Sequence, residues 1–136
     1  FLDIHTHYDA EVEVLPALDE SVRHGVTTVI FGNCSLSAAI GKEEDIVDLF
    51  ARVENIPAKT LSKWIIGNIK WTNVKEYYEH LEQLPIGPNV ASFLGHSSLR
   101  MAVMGVDRAF MQKEASEEEL KKMEEILQEA VDAGYL

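Results

Sequence analysis

Two histidines stand two residues apart near the start of the chain, His5 and His7, directly after the apolar run Phe1-Leu2-Asp3-Ile4. In an extended chain, residues i and i+2 face the same side, so both imidazoles can converge on one point. Convergent neutral imidazoles suit a divalent cation, zinc above all. Cys34 follows Gly32-Asn33 at the end of a second apolar run. A thiolate is a soft ligand that also suits zinc, and metal binding deprotonates it. The third segment is Gly95-His96-Ser97-Ser98, with Arg100 one helical turn on. His96 could orient a substrate carbonyl or ligate a metal, and Arg100 could hold a carboxylate.

Each candidate has a plain alternative. The histidines could hydrogen-bond to backbone at a strand end. Cys34 could be a small buried hydrophobe, or a nucleophilic thiol if a base stood beside it. His96 could bond its own loop, and Arg100 could pair with a structural acid. Asp9 could steady a histidine from behind or cap a turn. His24 and His80 fall on helix-like segments and read as surface or packing residues.

The elements that must position these residues alternate in period. Segments 1–4, 26–31 and 90–94 are short, apolar and partly β-branched, as parallel strands covered on both faces are. Segment 15–24 reads as a short helix with Pro16 in its first turn and Gly25 at its stop. Ile46, Leu49, Phe50 and Val53 follow i, i+3, i+4, i+7 spacing over 43–54. Residues 58–71 read as a surface excursion or a lid. Asn73 with Glu76 resembles a capping box. Ser116 with Glu119 opens the clearest helix, carrying Leu120, Met123, Leu127 and Val131 on one face, with Gly134 as its C-terminal cap. Tyr135-Leu136 looks like the first step of a further strand.

Strand, helix, strand, helices, strand, helix is βα repetition, which predicts an α/β fold with a parallel sheet and right-handed crossovers. Three strands do not close a barrel, which needs about eight. The chain lacks an initiator Met and begins inside a strand, so residues 1–136 read as one incomplete domain. In a βα barrel the three polar segments would meet at one rim, although they are far apart in sequence.

Charge narrows the partners. The 136 residues carry 23 acids against 12 bases, a formal net charge of −11. Nucleic acid and anionic membranes demand a basic face, so neither is expected. Much of the excess acid lies in 43–54 and 114–129, as the solvated faces of amphipathic helices. No apolar stretch is long enough to span a bilayer, and no signal peptide is evident. A lone cysteine fits a reducing, cytoplasmic setting.

Taken in order, several strings resemble one family. They are Phe-Leu-Asp-Ile-His-Thr-His-Tyr-Asp-Ala at 1–10, His-Gly-Val-Thr-Thr-Val at 24–29 and Gly-Asn-Cys-Ser at 32–35. Val-Glu-Asn-Ile-Pro at 53–57, Gly-His-Ser-Ser-Leu-Arg at 95–100, Val-Met-Gly at 103–105 and Asp-Ala-Gly-Tyr-Leu at 132–136 continue the match. Together they resemble the N-acyl-D-amino-acid deacylase (D-aminoacylase) branch of the amidohydrolase superfamily.

The resemblance implies a metal-dependent hydrolase on a (β/α)8 TIM-type barrel, of which this chain is about the first three βα units. It implies His5, His7 and Cys34 as metal ligands, with cysteine in place of the carboxylated lysine of hydantoinase-like relatives. The cofactor would be one or two zinc ions. The substrate would be a small N-acyl amino acid, cleaved by metal-activated water to a carboxylic acid and a D-amino acid. The general base and further histidine ligands are expected beyond Leu136, so the chain's partner is the remainder of its own barrel and the isolated segment is expected to be inactive. Two alternatives stand beside this. One is a cyclic-amide amidohydrolase of hydantoin or dihydropyrimidine type, against which Cys34 counts. The other is a non-enzymatic small α/β binding module.

Overall fold

A computed structural model describes residues 1–111 and 114–136. Strand β1 (Leu2–Asp3) pairs in parallel with β2 (Thr28–Phe31), which pairs in parallel with β3 (Asn89–Ser92), in the order β1-β2-β3. The fold is therefore α/β with a three-stranded parallel sheet. Register sets Leu2 beside Thr28 and Thr28 beside Asn89. Ladder-type hydrogen bonds run past the formal strand ends. Thr27 N–H donates to the Phe1 carbonyl, Thr6 N–H to that of Ile30, and Phe93 N–H to that of Phe31. Leu136 N–H donates to the Ser92 carbonyl at 2.9 Å, so the chain's last residue lies against the far edge of β3.

Side chains alternate across the sheet. Val29 and Phe31 are fully buried under the helices, whereas Thr28 and Ile30 on the other face are only half-buried. Leu2, Ile4 and Phe93 share that second face and are exposed. The expectation of strands covered on both faces holds for one face alone, because helices pack on one side only.

The helices are α1 (Asp19–Arg23), α2 (Glu43–Val53), α3 (Ala58–Ile65), α4 (Val74–Gln83), α5 (His96–Met104), α6 (Val106–Met111) and α7 (Glu117–Asp132), with a 3₁₀ turn at Glu11–Glu13. The expected helix over 15–24 forms only from Asp19. Buried Leu18 adopts φ +46° just before it, which breaks the helical path and leaves Pro16 in the preceding turn. The 58–71 segment is not a lid. Leu61 and Ile65 of α3 are fully buried, and Trp71 donates its indole N–H to the Ala38 carbonyl. Asn73 caps α4 by accepting from Glu76 N–H, but the Glu76 carboxylate turns to Thr72 instead of closing the box. The Ser116–Glu119 box at α7 is complete.

Candidate metal centre

The site is built at the C-terminal ends of β1 and β2. Thr6 is the fastener between them: it is buried, and its hydroxyl donates to the Ile30 carbonyl at 2.7 Å. The Asn33 amide donates to the same carbonyl at 2.8 Å and to that of Thr6 at 3.4 Å. His5 and His7 flank this anchored residue, so their backbone positions are fixed by the strand pairing.

Cys34 sits on a sharply bent loop. Gly32, Cys34 and Ser35 have φ of +74°, +50° and +68°. At Gly32 a Cβ would fall 1.9 Å from the Phe93 carbonyl oxygen, so no other residue fits. Non-glycine residues at positive φ cost energy and persist only when the surroundings enforce them. Asp9 is one enforcer. Its buried carboxylate accepts from the N–H groups of Gly32 and Ala38, each at 3.3 Å, on either side of Cys34. Burial pushes its pKa up to about 7. The α5 N-terminus is the other. Ser97 N–H donates to the Ser35 carbonyl, and the Ser98 hydroxyl exchanges two 2.8 Å hydrogen bonds with the Ser37 backbone.

These braces bring three side chains together. His5 Nε2 lies 3.1 Å from Cys34 Sγ. The His5 and His7 rings are tilted by 57° with centroids 5.2 Å apart. One donor atom from each of His5, His7 and Cys34 lies within 4.8 Å of the other two, and Cys34 is exposed. Two imidazoles and a thiol at this separation match the donor chemistry of a zinc site. His7 Nδ1 is buried and has no hydrogen-bond partner among the described residues, though Glu54 Oε1 stands 3.3 Å away.

The remaining candidates stand apart. His96 is exposed at the first residue of α5, and Arg100 is half-buried on the same helix; neither is in the converging group. His24 is exposed 3.8 Å from Glu20. His80 stacks on Trp71 and pairs with Glu13 at 2.9 Å, a packing role. Sequence reasoning overlooked Glu54. Its only signal was a carboxylate at the end of a helix, where the dipole disfavours one.

No family model matches the chain. Over 137 residues it is 53% identical to an uncharacterized protein of Mycobacterium tuberculosis, covering 100% of this chain and 22% of that one. It is 31% identical to a D-aminoacylase of Alcaligenes xylosoxydans xylosoxydans, over 100% of this chain and 25% of that enzyme. It is 32% identical to an N-acyl-D-aspartate deacylase of the same organism, over 98% and 24%. The chain is homologous to the D-aminoacylases of the amidohydrolase superfamily. A D-aminoacylase structure, studied for its binuclear metal centre, superposes with a TM-score of 0.74 at 28% identity, over 99% of this chain and 26% of that one. The N-acyl-D-glutamate deacylase of Bordetella bronchiseptica, complexed with zinc and a phosphonate mimic of the tetrahedral intermediate, gives a TM-score of 0.70 at 26% identity, over 99% and 25%. The chain thus spans about a quarter of the length of the D-aminoacylases it matches.

Proposed function

We propose that this chain forms part of the metal site of an amide hydrolase acting on N-acyl-D-amino acids, with His5, His7 and Cys34 as zinc ligands. The observation that carries the reading is the convergence of those three donors within 4.8 Å at the ends of two adjacent parallel strands. Its D-aminoacylase homologues supply the reaction class. The three strands are read as the start of a (β/α)8 barrel, a single incomplete domain completed by further βα units. Those units would bring the general base and the remaining ligands.

Zinc held there would polarise the amide carbonyl and lower the pKa of bound water. The chain's own residues do the positioning. Thr6 and Asn33 lock the two strand ends in register. Asp9 and the first turn of α5 hold the strained loop that presents Cys34. His96 and Arg100 follow that loop contact on α5, and we assign them to the substrate's carbonyl and carboxylate.

A second reading rests on one distance. His5 Nε2 at 3.1 Å from Cys34 Sγ is also the geometry of a thiol nucleophile with its base. The second imidazole favours metal, since a thiol nucleophile needs only one base. Metal analysis of the full-length protein, with hydrolysis of N-acetyl-D- and N-acetyl-L-amino acids, tests both. The metal reading expects bound zinc, turnover of the D-substrate, and loss of metal and activity together in Cys34→Ala and His5→Ala. Metal-free protein that is fully active and killed by iodoacetamide would sink it in favour of the thiol.

A further inference from the structure

Glu54 is the C-cap residue of α2, and its N–H donates to the Phe50 carbonyl at 2.8 Å, closing the last turn. Asn55 follows at φ +53°, a left-handed residue that ends the helix and leaves the Glu54 side chain beside the strand ends. The placement runs against helix electrostatics. A helix C-terminus carries partial negative charge and favours cations, so a carboxylate there costs helix stability. Something other than the helix must account for it.

What stands opposite is His7. Its Nδ1 is buried without a hydrogen-bond partner among the described residues, and the Glu54 carboxylate oxygen lies 3.3 Å from it, both side chains being about one-fifth exposed. A buried polar atom left unsatisfied is expensive. A small rotation of the carboxylate would let Nδ1–H donate to it. A proton fixed on Nδ1 leaves Nε2 with its lone pair free, as a metal ligand must be.

We propose that Glu54 is a positioning residue for His7: it holds the proton on Nδ1 and the ring in place, so that Nε2 is the nitrogen offered to the metal. The inference deepens the metal reading and rests on it. Glu54 touches neither substrate nor metal; it acts through the imidazole.

The test uses the full-length protein with cobalt(II) as probe, read by thiolate-to-cobalt charge-transfer absorption. Glu54→Ala is expected to weaken cobalt affinity about 10- to 100-fold, the usual loss for such an outer partner. Glu54→Gln keeps an acceptor oxygen and is expected to stay close to wild type. In a His7→Ala background Glu54→Ala is expected to add nothing, because its effect runs through the lost ring. Nitrogen-15 histidine spectra of the chelated protein are expected to show His7 protonated on Nδ1, and that preference lost in Glu54→Ala. Unchanged affinity in Glu54→Ala overturns the proposal. So does Glu54→Gln falling as far as Glu54→Ala, which would make the carboxylate itself a ligand. Wild type that takes up no cobalt but keeps the Nδ1 tautomer sinks the metal reading while the Glu54–His7 contact survives; loss of both sinks the two together.

Discussion

At the scale of single residues, Asp9 shows how the site is held and what that costs. Its carboxylate is buried, accepts two backbone N–H groups around Cys34, and holds its proton up to about pH 7, chiefly because burial penalises the charged form. Unfolded, it would release that proton near its ordinary value of 3.8. The folded state therefore binds the extra proton between those limits. The contribution of Asp9 to stability is full below about pH 4 and is lost as pH rises through about 7, by a few kcal/mol. Asp9→Asn removes this slope. In chelated protein, the urea midpoint of wild type is expected to drop more between pH 5 and pH 8 than that of Asp9→Asn. Equal drops would refute the burial argument. The sequence made the three converging residues legible because i, i+2 spacing and strand-end position are local signals. It did not reveal what Asp9 grips or that Glu54 meets His7, since both depend on how α2 and the 32–38 loop fold back over the strand ends.

Among the elements, strands and amphipathic helices with sharp caps could be read, and the connections that aim the site could not. The α7 start at Ser116 and the α2 stripe follow from capping and 3.6-residue periodicity. Helix α5 escaped because its buried residues Ser98, Leu99, Met101 and Met104 do not follow a simple stripe, and two of its main fastenings are serines. Gly95 shows why that helix matters. Its φ is ordinary, but a Cβ there would lie 2.6 Å from the Ser35 oxygen and 2.7 Å from the Ser37 nitrogen. Both partners are backbone of the Cys34 loop and cannot step aside cheaply. Gly95→Ala is expected to destabilise by more than about 2 kcal/mol, as overpacking does, and to weaken metal uptake with it. Gly134→Ala, at φ +102° with open space around it, is expected to cost about 1 kcal/mol of strain and leave metal uptake alone. Denaturant midpoints and cobalt titrations of the two variants separate a steric lever on the loop from general loss of stability.

For the whole molecule, the decisive feature is apolar surface with nothing on it. Leu2, Ile4 and Phe93 are exposed on one face of the sheet, Phe1 is exposed at the start of β1, and Leu120, Leu127 and Val131 stand about half exposed along α7. Leu136 already donates to the Ser92 carbonyl along the outer edge of β3. Open parallel edges and bare faces of this kind recruit other chains unless covered. The D-aminoacylases this chain matches are about four times as long, and in the barrel proposed above further βα units would cover these surfaces. The 136-residue chain expressed alone is therefore expected to self-associate in size-exclusion chromatography, and the full-length protein to run as a defined species. Leu127→Glu should relieve association of the short chain, where the exposed half of that side chain faces solvent or another copy. In the full-length protein the same change should lower the melting temperature, because there the glutamate would be forced under a neighbouring element. A short chain that is monodisperse, monomeric and cooperatively melting would contradict this and favour an independent binding module over a segment of barrel.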